Sequence, residues 1–293
     1  MSAAHQREYT ESTPSNKQHL LTCIMTALKS GTLELPSLPD IAIDVRIAAR
    51  KEDLNIADLA RVVQQDPGLS AYLIKQSISS HYKRRHSTND LCSALRRLGL
   101  DTTRDLTASY ALKTLFHMNN PTVKHRLREI WQRSVYTAAL AHVMARHCGF
   151  EPERAQLAGL IQDIGALPLL ANLSSYPALL NDNIGIDDLL HNYTGKISGL
   201  VLNHWHFDNE LVVVGLERGN WLRDKPGPAD LADLVLVARY HSYLNEPIHK
   251  RMPKLSSLPA FQKLNLAEVG PQKGLAFLHE AQQEIAELRS ALQ

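Results

Sequence analysis

The residues of this chain best suited to chemistry are Gln162 and Asp163, set in Ala158-Gly-Leu-Ile-Gln-Asp-Ile-Gly-Ala-Leu-Pro-Leu-Leu170. A polar pair inside a segment that otherwise favours burial must be satisfied where it sits, because an unpartnered buried carboxylate is costly. Histidine at position 162 would create an adjacent His-Asp pair, a dyad that binds metal and hydrolyses phosphodiesters. Glutamine offers an amide oxygen and no imidazole nitrogen. Of the 14 histidines, His204 and His206 are two apart, which on a helix turns them to different faces. His142 and His147, five apart, also diverge and are expected to be exposed. His241, beside Tyr240 at a helix end, is expected at the surface. The run His81-Tyr-Lys-Arg-Arg-His86 gathers Lys83, Arg84 and Arg85 into a candidate anion or partner patch, with a solvated loop as the plainer reading. No Gly-x-Gly-x-x-Gly, phosphate-binding loop or Gly-x-Ser-x-Gly elbow occurs.

The elements that must position these residues follow the helical period almost throughout. Leu35-Pro-Ser-Leu-Pro39 is an extended entry, since a residue before proline is pushed out of the helical region. Pro39 and Asp40 suit the first turn of a helix reaching Ala49. Asn55 with Asp58 three residues on, Asp66-Pro67, and Thr88-Asn89-Asp90 are further helix starts. Apolar positions Leu91, Leu95 and Leu98 recur every three or four residues up to Gly99, and Thr103 to Phe116 continues the pattern. Beyond Asn119-Asn120-Pro121 come longer helices: Val123 to Cys148, Pro152 to Ile161, Asp187 to Trp205 and Ala229 to Leu244. No stretch alternates like a strand between hairpin turns, so the fold is expected to be all-α.

The organisation expected is a disordered tail over 1–17, an N-terminal helical subdomain over 18–120, a second helical subdomain over 121–244, and a linker with a C-terminal helix over 245–293. That last helix sets Leu278, Ile285, Leu288 and Leu292 in a stripe too short for an independent coiled coil. Docking on its own domain is preferred to pairing with a second chain. Trp131 and Trp205 are expected in the core, and Trp221, beside a Pro-Gly-rich loop, partly exposed.

Composition excludes several classes of function. Lys+Arg 32 against Asp+Glu 30 gives a net charge of +2, too weak a field to favour nucleic acid or an anionic membrane. Hydrophobic residues are 44% and charged residues 21%, ordinary for a globular protein. No apolar run reaches the roughly 18 residues of a membrane span. Cys23, Cys92 and Cys148 are too far apart and too few for a disulfide framework, which points to a reducing cytoplasm.

Five motifs in order carry a family likeness: Leu35-Pro-Ser-Leu-Pro39, Val63-Gln-Gln-Asp-Pro-Gly-Leu69, Ala94-Leu-Arg-Arg-Leu-Gly-Leu100, Trp131-Gln-Arg-Ser134 and Ala158-Gly-Leu-Ile-Gln-Asp-Ile-Gly165. Together, over roughly residues 30 to 240, they resemble the HDOD domain, a bacterial signalling module related to HD and HD-GYP phosphohydrolases. The resemblance implies an HD-like helical bundle packed on an N-terminal helical bundle, and a role in signal transduction, often without catalysis.

It also implies where the metal ligands of active relatives would fall. Those positions carry Arg133, Gln162, Asp163, Thr194 and Arg218 here, with Asp233 as a second surviving carboxylate. Arginine stays protonated and ligates nothing, so the site reads as a relic with no metal, no cofactor and no catalytic residue. An Arg133–Asp163 salt bridge is expected in the metal's place, with Gln162 hydrogen-bonded at its edge. The leading function is a non-catalytic signalling protein acting through a protein partner. The alternatives are a sensor that binds a nucleotide or other phosphate ligand in the relic pocket with Arg133 and Arg218, and a metal-dependent phosphohydrolase.

Overall fold

The computed structural model describes residues 35–50, 55–78, 90–116, 121–173, 182–244, 252–265 and 281–292, with isolated positions between 22 and 32. Every regular element among them is helical. In chain order these are α1 (Asp40–Ala48), α2 (Ile56–Val63), α3 (Pro67–Ser77), α4 (Leu91–Leu98), α5 (Leu100–Leu112), α6 (Pro121–Cys148), α7 (Pro152–Ile161), α8 (Ala166–Leu173), α9 (Asn183–His204), α10 (Asn209–Glu217), α11 (Leu231–Ser242), α12 (Pro259–Lys263) and α13 (Gln282–Leu292).

The starts follow from their caps. Asn55 accepts from the Ala57 N–H at 3.0 Å, Asp66 from Leu69 at 2.9 Å and Asp90 from Ser93 at 2.9 Å. Each satisfies a backbone donor that the first turn leaves without an intrahelical partner. Gly99, at φ 77°, ends α4 and starts α5 directly, so the second helix begins at Leu100 rather than the expected Thr103. The glycine's left-handed backbone lets the chain turn without a linker.

The apolar side chains form two cores. The smaller joins α1 to α5 through Val45, Leu59, Val63, Leu69, Leu73, Leu95 and Leu106. The larger is built around α6, which packs against α7, α11 and α13. It takes in Leu127, Val135, Met144, Leu157, Ile161, Ile197 and Val237, all essentially solvent-free. Helix α5 serves both, since Leu106 faces the smaller core while Ala108, Ala111 and Leu112 face the larger. The C-terminal segment is packed too: Leu258, Ala260, Phe261, Ile285 and Leu292 all enter the larger core. Helix α13 docks on α6, with an Arg146–Glu284 ion pair and Arg289 5.0 Å over the Tyr136 ring. Leu278 lies outside the described residues.

Polar contacts join the two lobes. Arg46 of α1 donates to the carbonyls of Trp205 and His206, both at 2.6 Å, where α9 ends and its last acceptors lack intrahelical donors. Its guanidinium stacks 4.6 Å over Phe207, and the Trp205 indole N–H donates to Pro36 at 2.8 Å. On another element, Asp105 of α5 meets Arg154 of α7, which also binds Asp208 and Glu210 at the start of α10.

Candidate functional site

Asp163 sits in the four-residue turn between α7 and α8, and α9 fixes that turn in place. Ser198 donates to the Gln162 carbonyl at 2.9 Å and accepts from the Gly165 N–H at 2.9 Å. A side chain at 165 would fall on the backbone of Thr194 and Ser198, so only glycine lets the turn lie this close to α9. Asp163 is thereby held 3% exposed in the middle of the larger lobe.

Its two carboxylate oxygens go to two arginines, Arg218 through Nε and Arg239 through Nη1. The side chain of Arg218 is 12% exposed and that of Arg239 3%. Arg239 also donates to the Tyr243 hydroxyl at 2.7 Å. Burial opposes charge on Asp163, but Arg218 and Arg239, with Arg133 further off, more than offset it and hold the carboxyl down at about 2. Burial and the neighbouring Arg239 pull Arg218 below its ordinary value. Arg239, buried as it is, is raised by Asp163 and Tyr243.

The expected Arg133–Asp163 bridge is therefore replaced. Arg133 stands one layer out, its guanidinium 4.5 Å over the Tyr243 ring and Nη1 3.4 Å from the Tyr243 hydroxyl. One local signal pointed to Arg239. Leu231-Ala-Asp-Leu-Val-Leu-Val-Ala-Arg239 is a continuous buried helix, and a cation inside such a run requires a buried anion.

Gln162 turns its amide N–H₂ to the Gly159 carbonyl at 3.2 Å rather than to Asp163, leaving its buried Oε1 without a partner among the described residues. Thr194 is 1% exposed, and its hydroxyl likewise has no partner among the described residues. Asp233 does not join the site. It forms a reciprocal cap with Asp230 at the start of α11 and an ion pair with Arg223. Arg239, six residues on, lies ~9 Å further along the same helix. The Lys83, Arg84 and Arg85 patch lies outside the described residues.

Two histidine placements are corrected. His142 is 7% exposed because it lies on the face of α6 that the lobe buries, and His241 is 7% exposed with Nδ1 2.8 Å from the Val237 carbonyl. His147, His204 and His206 are exposed. Trp131 and Trp205 are buried, and Trp221 is half-buried, edge-on to Tyr240 and Tyr243 at 5.9 and 6.2 Å.

A divalent metal does not fit these residues. Both oxygens of Asp163 are taken by groups that cannot ligate. Among the described residues, no three His, Cys, Asp or Glu side chains converge to hold an ion.

The all-helical bundle of the described residues is the architecture of the HD-like class. The HDOD domain model matches residues 35–218, well over half of the sequence, and the chain belongs to that family. A protein of Shewanella amazonensis SB2B, provisionally named a metal-dependent phosphohydrolase, is 25% identical with a TM-score of 0.79, over 95% of this chain and 100% of its own. An HDOD domain protein of unknown function from Geobacter sulfurreducens is 20% identical at TM-score 0.62, over 95% and 97%. A protein of Marinobacter aquaeolei VT8, provisionally named for signal transduction, is 20% identical at TM-score 0.56, over 96% and 67%. An uncharacterized protein of Treponema pallidum (strain Nichols) is 22% identical over 149 residues, half of this chain. The match spans 28% of that relative's length. Among the described residues no helix is long and apolar enough to cross a membrane.

Proposed function

We propose that this HDOD chain is a non-catalytic signalling protein that acts through contact with a protein partner. One observation carries the reading: the carboxylate that would bind metal has both oxygens committed to Arg218 and Arg239. Hydrolysis in this architecture needs a metal to generate hydroxide near neutral pH and to neutralise the phosphate. Guanidiniums supply charge but no Lewis-acidic centre.

The test pairs two measurements. Purified chain with added Mn²⁺, Mg²⁺ or Fe²⁺ should turn over no bis-p-nitrophenyl phosphate or cyclic dinucleotide. Cross-linking in the native cell should recover the chain with a stoichiometric protein partner. Metal-dependent turnover lost in Asp163→Asn would overturn the proposal in favour of a phosphohydrolase.

A second reading, a relic pocket that takes a phosphate-bearing ligand, is supported by the imbalance of charge. Two arginines, at 12% and 3% side-chain exposure, share one carboxylate.

A further inference from the structure

Arg218 and Arg239 bring two positive charges to the one negative charge of Asp163, leaving the buried cluster at +1. Neither arginine has a second anionic partner among the described residues. Their hydrogen bonding is incomplete as well. Among the described residues, Arg239 Nε is buried without an acceptor, and Arg218 bonds Asp163 through Nε alone, with no acceptor on its two terminal nitrogens. The Thr194 hydroxyl, next to Gly195 against which the Arg218 stem lies, is also without a partner among the described residues. An uncompensated buried charge on guanidiniums with open donors is expensive unless an acceptor-rich anion completes them.

We infer that the cluster is a receptor for a terminal phosphoryl group, and that the segment 219–222 carries its occupancy to the surface. The inference rests on the second reading above. A phosphoryl group suits the open positions better than a carboxylate does. It presents three acceptor oxygens to the open donors of the two guanidiniums, and it carries about −1.5 to −2 at neutral pH.

The relay follows from connectivity. Arg218 caps the end of α10, and Trp221 follows three residues later. Trp221 lies edge-on to Tyr243, whose hydroxyl accepts from Arg239. An anion that draws the two guanidiniums together acts on Trp221 through its own chain and through its aromatic neighbour. The far side of the segment is anchored, because Arg223 is ion-paired to Asp230 at 2.6 Å and also to Asp233. Movement is thereby confined to residues 219–222, which carry Leu222 at 62% exposure.

The test uses the full chain, titrated with inorganic phosphate, with AMP as an esterified monophosphate, and with acetate as a control. Calorimetry and thermal unfolding follow binding, and tryptophan fluorescence follows the segment. The expected result is saturable binding of at least one phosphate and a raised Tm, with a fluorescence change that disappears in Trp221→Phe while binding persists. Arg218→Gln should weaken binding roughly tenfold or more, the loss of one charge-assisted contact. Because that variant also removes the excess charge, it should keep its fold, and the wild-type Tm shift needs no variant at all. Phosphate binding without a Trp221 signal would overturn the relay and leave the pocket reading intact. Absence of heat and of a Tm shift with both phosphates would overturn the pocket as well. Acetate binding as tightly as phosphate would overturn the phosphoryl assignment.

Discussion

At the residue scale, Asp163 is worth more to the fold than any one of the arginines around it. Replacing it with alanine leaves Arg218 and Arg239 facing one another in the interior, and loss of the shared partner of a buried ion cluster costs about 3–5 kcal/mol. Arg133→Ala removes a stacking contact with Tyr243 one layer out and should cost about 1 kcal/mol. Urea unfolding of the two variants checks the ranking, and equal losses would contradict the arrangement described. Acid titration separates two buried carboxyls of opposite behaviour. Asp163 is held at about 2, below its ordinary 3.8. Its stabilisation is complete above 3.8 and is lost as pH falls from there towards 2. Asp105 is pushed up to about 6 by burial, which outweighs Arg154 and Arg104. Its charged form therefore costs stability above pH 6, and the cost fades as pH falls towards 3.8. Asp105→Asn should flatten the stability profile between pH 4 and 6, a change on the order of 2–3 kcal/mol, measurable by denaturant midpoint at each pH.

At the scale of elements, the turn between α7 and α8 is positioned by α9, and the weakest tolerance lies at Gly165. A methyl group there meets the backbone of Thr194 and Ser198, neither of which can yield without moving α9. Gly165→Ala should cost about 2–3 kcal/mol through overpacking, read as a lower Tm. The same change at Gly219, where a Cβ meets nothing within 4 Å, should leave Tm nearly unchanged. The caps on α2, α3 and α4 were legible in the sequence because an Asn or Asp side chain reaches only a few residues along the chain. The start of α5 was not, because Gly99 looks the same in sequence whether it ends a helix or joins two.

At the scale of the whole molecule, the lobes behave as one cooperative unit. Helix α5 faces both cores, Arg46 ties α1 to the end of α9, and Arg154 ties α7 and α10 to Asp105. Thermal unfolding followed by circular dichroism and by tryptophan fluorescence should give a single coincident transition. Arg46→Ala leaves the Trp205 and His206 carbonyls without their donor, so it should lower stability by about 2–3 kcal/mol. It should not split the transition. Two separated transitions in the wild type would contradict this coupling.

The sequence by itself determined the helical class, most helix starts and the family, because periodicity, capping and short motifs are local. The family likeness, not the residues alone, implied that Gln162 and Arg133 stand at metal-ligand positions of active relatives. Only the tertiary structure decided which cation holds Asp163. Arg239 lies 76 residues away from it along the chain, and no local pattern encodes so distant a pairing. The same holds for Asp233, whose carboxylate looked available until Arg223, ten residues upstream, was folded back onto the start of its helix. Buried charges choose partners by proximity in space, which packing of the whole lobe sets.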